Sequence, residues 1–144
     1  MKIASFFLIF FLLASVNAFQ INGTNVSCED LKIYSSSILG EKIPSSVPYQ
    51  NEIFNFYFEN ESLGNLEINE GVLSNFSCEK NENATYDIKV NNEKLFENFD
   101  SNLSAIKILN QKLSSNEINI DGRTFGKKFK WFFTKFALKV VGWF

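Results

Sequence analysis

Catalysis needs particular side chains, and this chain lacks the usual ones. It contains no histidine, so neither a Ser-His-Asp nor a Cys-His arrangement can be assembled, and no imidazole can hold a metal. The acidic pairs Glu59/Glu61 and Glu67/Glu70 fall on predicted turns or wet strand faces, where carboxylates serve as solvated charge. Gly122 to Lys127 reads G-x-x-x-G-K, one residue short of a phosphate loop, and Lys128 stands where Ser or Thr would hold magnesium. The expectation is a protein that is not an enzyme and that uses neither cofactor nor metal.

Covalent chemistry of two other kinds is available. Cys28 and Cys78 would pair in an oxidising compartment and tie an N-terminal arm to the middle of the chain; otherwise they are two buried thiols. N-x-S/T sequons stand at Asn22, Asn25, Asn60, Asn75, Asn83 and Asn102, none with proline in the middle. An Asn-rich, Ser-rich chain makes some by accident, roughly two or three. The excess fits a glycoprotein.

The first residues point to the same compartment. Lys2 precedes a nearly continuous apolar run from Ile3 to Ala14, and Val16-Asn17-Ala18 offers the small residues a signal peptidase expects before Phe19. Residues 1–18 therefore read as a signal peptide, and the mature protein as secreted or extracytoplasmic. Charge is uneven beyond it. Residues 19–122 carry seven Lys against sixteen Asp and Glu, a net of −9, while residues 123–144 carry five Lys and one Arg with no acid, a net of +6. One basic helix facing an acidic body is a poor nucleic-acid footprint, so no nucleic-acid partner is expected.

The elements that must position these residues follow from the periods. Leu31, Tyr34 and Ile38 suit a short helix after Cys28 that Gly40 ends, and Pro44 to Pro48 marks a loop; residues 19–50 read as an arm. From Ile53 the period is two. Phe54, Phe56 and Phe58 share a strand face against Asn55 and Tyr57, and Leu66 and Ile68 continue the apolar side after a turn. In the next strand Val72, Ser74, Phe76 and Cys78 are predicted to point one way and Leu73, Asn75 and Ser77 the other; Tyr86, Ile88 and Val90 form a fourth strand. Helical spacing returns with Leu95, Phe96 and Phe99, then Leu103, Ile106, Leu109 and Leu113. Ile118 and Ile120 alternate as a fifth strand, and a final helix starts near Phe125.

That last helix is the most unusual stretch. Phe125, Phe129, Phe132, Phe133, Phe136, Val140 and Trp143 form one stripe, while Lys127, Lys128, Lys135 and Lys139 lie opposite with Trp131 and Leu138 among them. The stripe is expected to roof the apolar side of the sheet; the Trp131, Leu138, Lys127 and Lys135 face then either lies in water, as on any capping helix, or also meets a membrane surface or partner. The fold class is α+β: a mostly antiparallel five-stranded sheet with helices packed on one face, ending in a C-terminal amphipathic helix.

From about Asn51 to Trp143 the chain resembles the sterol carrier protein type 2 domain family, including its small secreted archaeal-type members. The likeness is carried by FNFYFENESLGNLEINEGVLSNF, by ENATYDIKV, where the family often shows a polar loop and T-x-x-I-x-V, and by EINIDGRTFGKKFKWFF, where it shows a short K-I-x-I-x-G strand running into its last helix. The resemblance implies that residues 51–144 form a sterol-carrier-like domain with a hydrophobic tunnel for a lipid tail or similar apolar small molecule. The aromatic excess, seventeen Phe, suggests a groove independently; the bland alternative is a filled core. The candidate lining is Phe54, Phe56, Phe58, Phe76, Leu95, Phe99, Ile106, Leu109, Phe129, Phe132, Phe133 and Phe136. The expected function is non-catalytic binding of a lipid or other apolar ligand in that groove between sheet and helices; the alternative is a secreted interaction module with a filled core whose basic, aromatic last helix docks on a membrane surface or protein partner. Oligomeric state has no signature.

Overall fold

The computed structural model describes residues 27–43, 45, 47–91 and 105–141, without the side chains of residues 30, 34, 105–109, 138, 140 and 141. The signal-like segment, Asn22, Asn25, Asn102, Leu95 and Phe99 lie outside the described residues. Described elements run in the order α1 (Cys28–Ser36), β1 (Glu52–Phe58), β2 (Glu61–Asn69), β3 (Val72–Ser77), β4 (Tyr86–Val90), α2 (Ala105–Ser114), β5 (Ile118–Gly122) and α3 (Phe125–Val141).

The strands associate in the order β3-β2-β1-β4-β5. This is an α+β fold with a mixed sheet: β1 and β4 are parallel, with Phe54 opposite Tyr86 and Phe56 opposite Ile88, while the other pairs are antiparallel. β4 does not pair with β3, its predecessor in the chain, but lies beyond β1, and buried asparagines explain why. Asn55 is fully buried on the face opposite Phe54. Its Nδ2 donates to the Asn81 carbonyl at 3.0 Å and its Oδ1 accepts from the Asn81 amide at 3.0 Å. Asn65 donates to the Glu79 carbonyl at 2.6 Å, and Thr85 Oγ1 sits between the amide and carbonyl of Ile53, at 3.0 and 3.1 Å. These bonds lead residues 78–85 across the polar back of the sheet, satisfying backbone groups that a buried loop would otherwise leave unpaired. The chain thus reaches the far side of β1.

Arg123 closes this polar layer. Its guanidinium grips Asp87 with two bonds, at 2.9 and 2.8 Å, and donates to the Glu82 carbonyl at 3.0 Å. Burial alone would raise the Asp87 pKa, but the hydrogen bonds and charge of Arg123 overcome it and hold the carboxyl below its ordinary value.

A bulge corrects the predicted phase of β3. Ile68 pairs with Leu73 and Glu67 with Asn75, which leaves Ser74 as an extra residue. Side-chain parity therefore flips midway: Leu73 is buried at 1% exposure, Phe76 packs against the core, and Ser74 and Asn75 both face water. A second irregularity lies between Phe56 and Tyr57 where they pair with Gly64 and Ser62. At Gly64 φ is +125°, and a Cβ would lie 2.3 Å from the Ser77 carbonyl oxygen, so only glycine fits there.

The core fills the other face of the sheet: Phe54, Leu66, Ile68, Leu73, Tyr86 and Ile88 from strands and Leu113 from α2, joined by Ile38, Ile43, Val47 and Tyr49. Described residues between 38 and 49 thus share the core of the sheet. Residues 40–43 also cover part of the outer edge of β3, with Gly40 donating to Leu73 at 2.8 Å and Ile43 to Gly71 at 2.8 Å. Cys28 and Cys78 form a disulfide with Cα atoms 5.5 Å apart, joining the start of α1 to the chain leaving β3.

Candidate functional site

The C-terminal helix begins under tight local control. Thr124 caps it, its Oγ1 accepting from the Lys127 amide at 3.4 Å and its carbonyl from Lys128 at 2.9 Å. Gly122 lets the first turn descend onto β5: a Cβ there would lie 2.5 Å from the Lys127 carbonyl carbon. The glycines that resemble a degraded phosphate loop are explained, at Gly122, by this close approach.

Which face α3 turns to the sheet is decided by Glu52. Period two places Glu52 in phase with Phe54 and Phe56, so the carboxylate opens the apolar face and is only 2% exposed. A buried carboxylate requires cations. Lys127 Nζ meets its two oxygens at 2.7 and 2.6 Å, and Lys130 Nζ also contacts Oε1. Burial alone would raise the Glu52 pKa, yet the hydrogen bonds from Lys127 and Lys130 hold it below the ordinary carboxylate value, with Thr85 assisting.

Aromatic rings complete the seat. Tyr49, Phe54 and Tyr86 form a triad with centroids 5.3 to 6.2 Å apart. The Lys130 ammonium lies 4.6 Å from the Tyr49 ring centroid, and Lys127 lies 5.9 Å from that of Tyr86. Tyr49 Oη and Thr134 Oγ1 are 2.8 Å apart, and Tyr86 Oη donates to the Lys127 carbonyl at 3.3 Å. Burial pushes the Tyr49 hydroxyl up to about 12, opposed by its bond to Thr134 and reinforced by the charge of Glu52. Tyr86 is also raised, first by burial and then by Tyr49 and Glu52.

Lys127, Lys130, Trp131 and Thr134, spaced i, i+3, i+4 and i+7, are therefore the docking face. Trp131 packs against the core. The expected orientation is reversed: the five phenylalanines of the stripe predicted to roof the sheet face outward, while the Val140 side chain and Trp143 lie outside the described residues. Phe125, Phe129, Phe132, Phe133 and Phe136 are between 53% and 85% exposed. The rings of the first four contact one another along the helix, Phe125–Phe129 at 6.2 Å, Phe129–Phe133 at 4.7 Å and Phe132–Phe133 at 5.7 Å between centroids. Five such rings expose roughly 600 Å² of apolar surface, taking about 200 Å² for each fully exposed ring. This matches or exceeds the largest patch on an ordinary monomer.

The candidate groove residues are accordingly divided. Phe54 is buried, Phe56 and Phe76 pack against the core, and Phe58 is half-buried. Phe129, Phe132, Phe133 and Phe136 do not join them, because Glu52 draws the lysine face inward. Ile106 and Leu109 belong to α2, but their side chains, like that of Leu138, are outside the described residues. The proposed membrane face changes as well. Trp131 belongs to the core side, Lys127 is engaged by Glu52, and Lys135 lies half-buried beside the stripe. Sequence reasoning missed Glu52 and Lys130. The signal was a Glu two residues before Phe54, matched by Lys127, Lys130 and Thr134 on one helical face.

The sequons Asn60, Asn75 and Asn83 are exposed. Among the described residues no group of three or more His, Cys, Asp or Glu could hold a metal ion. No described helix is long and apolar enough to cross a membrane. Comparison with family models, curated proteins and solved structures finds no match for this chain. The resemblance to sterol carrier proteins therefore rests on the motifs quoted above alone.

Proposed function

We propose that this protein is a secreted, non-catalytic module that adsorbs to a membrane surface through the outward face of α3. The observation that carries the reading is the continuous row Phe125, Phe129, Phe132, Phe133 and Phe136 on a helix whose opposite face is anchored to the sheet. A helix with an aromatic face, lysines beside it and too little length and hydrophobicity to cross a bilayer suits the headgroup and acyl boundary. The disulfide favours an oxidising compartment, which supports the secreted part of the proposal.

Enclosure of an apolar ligand between sheet and helices is the weaker alternative. Four of its twelve suggested lining residues, Phe129, Phe132, Phe133 and Phe136, lie on the outward face. Vesicle co-sedimentation of the wild type and a Phe129→Ser, Phe132→Ser, Phe133→Ser variant tests the proposal. Wild-type protein should pellet with vesicles and the folded variant should stay in the supernatant. Equal partition of the two would overturn it.

A further inference from the structure

The lysines of α3 divide into two sets with different duties. Lys127 and Lys130 point at the sheet and are committed to Glu52. Lys128, Lys135 and Lys139, at seven- and four-residue intervals, form a row along one flank of the aromatic stripe, nearest Phe125, Phe132 and Phe136. The other flank carries Gly126 and Ala137. Lys128 has a loose partner, Asp121 at 3.8 Å, with both side chains more than half exposed. Lys135 and Lys139 have no carboxylate within 4.0 Å among the described residues. The described helix contains no acid.

We infer that the surface received by α3 carries anionic headgroups, and that Lys128, Lys135 and Lys139 select it. This inference rests on the adsorption reading above and names its partner chemistry. With the rings at the acyl boundary, the lysine stems run along apolar surface and their ammonium groups reach the headgroup layer on one side of the helix. The row contributes electrostatic attraction that rings alone lack. The same row argues against an antiparallel second copy as the occupant. In an antiparallel face-to-face pair of α3 helices related by a two-fold axis, each flank meets its own counterpart. The three lysines of one copy would then face those of the other, with no acid on either helix to separate them.

The test measures partition of purified, disulfide-intact protein onto phosphatidylcholine vesicles and onto vesicles containing about one third phosphatidylserine. Wild type should bind the anionic vesicles at least about tenfold more tightly, given a severalfold gain per lysine, and the preference should shrink as salt is raised. Lys128→Gln, Lys135→Gln, Lys139→Gln, with an unchanged circular dichroism spectrum, should bind both vesicle types within about twofold of each other. Equal wild-type binding to the two vesicle types would overturn the anionic assignment while adsorption itself stands. So would a preference that survives the triple change. Absence of binding to either vesicle would remove the adsorption reading and this inference with it. Phe-dependent dimerisation at micromolar concentration would assign the face to a second copy instead.

Discussion

Replacing Glu52 by Gln tests the interaction that sets the helix orientation. The substitution keeps the size of the side chain and a hydrogen-bond acceptor but removes the charge. Lys127 and Lys130 would then face one another across a neutral amide. Removing one partner of a buried ion pair costs about 3–5 kcal/mol. Here Glu52 is almost wholly covered, but the two lysine side chains are 28% and 26% exposed, so water shields part of their repulsion. The expected loss is about 2–3 kcal/mol, just below that range after allowance for screening. Urea unfolding of wild type and Glu52→Gln measures it as a shift in midpoint at constant slope. Lys127→Met and Lys130→Met supply the control. Either alone leaves Glu52 one cation, so each should cost about 1 kcal/mol, and both together should cost more than their sum. A Glu52→Gln midpoint within about 0.5 kcal/mol of wild type would refute the clamp, as would strict additivity of the lysine changes.

The orientation of α3 makes a second expectation: Phe132→Ser should change unfolding free energy by no more than about 0.5 kcal/mol, whereas Trp131→Ala should cost about 2–3 kcal/mol; the opposite ranking would mean that the stripe is buried. Stability should vary with pH at both extremes. Glu52 and Asp87 are depressed in the folded protein, so their contribution is complete above the ordinary carboxylate range near pH 4 and is lost as pH falls through their lower folded values. Tyr49, pushed up to about 12, contributes below its ordinary value near 10 and loses that contribution as pH rises towards 12; a urea midpoint that keeps rising below pH 4 contradicts the carboxylate assignment. Cys28→Ser with Cys78→Ser should cost about 4 kcal/mol, the chain-entropy value for a fifty-residue loop, and a loss under 1 kcal/mol would show that the arm is held without the bridge. Protein secreted by a host that glycosylates asparagine should drop in apparent mass on enzymatic deglycosylation, with part of the drop removed by Asn60→Gln, Asn75→Gln and Asn83→Gln; no shift would mean that these exposed sequons are unused.

The sequence made the elements legible more readily than their arrangement. Period-two runs located β1, β2, β4 and β5, and the short helix after Cys28 ends before Gly40, whose φ is +88°. Two kinds of information were hidden. The first was the extra residue at Ser74, which reverses the side-chain phase within a six-residue strand and cannot be counted before the partner strand is known. The second was the path after β3. Asn55 and Asn65 look like solvent-facing residues on an alternating strand, and only their bonds to residues 79–81 reveal that a loop covers them. At the candidate site, hydrophobicity identified the aromatic stripe and assigned its direction wrongly, because the pattern weighs apolar faces and is blind to one buried carboxylate. Glu52 was on the page in phase with Phe54 and Phe56, but its lysines lie more than seventy residues away.

The Glu52 clamp explains the direction of α3, yet it does not make that direction cheap. Each Phe left outside forgoes part of the roughly 1.5–3 kcal/mol that full burial of such a side chain provides. Five rings at 53% to 85% exposure forgo more in sum than the several kcal/mol at stake in leaving one buried carboxylate unpaired. The inward face recovers some of the difference through Trp131, the Tyr49–Thr134 bond and the cation–ring contacts. Among the described residues nothing covers the rings further. On the proposed adsorption reading a membrane would supply the remainder without asking the fold to rearrange: the rings lie along one face, the helix is pinned by its opposite side, and Lys128, Lys135 and Lys139 border that face. The buried ion pair and the exposed aromatics thus lie on opposite faces of one helix, and Glu52 on the apolar face of β1 accounts for only part of the preference that holds them so.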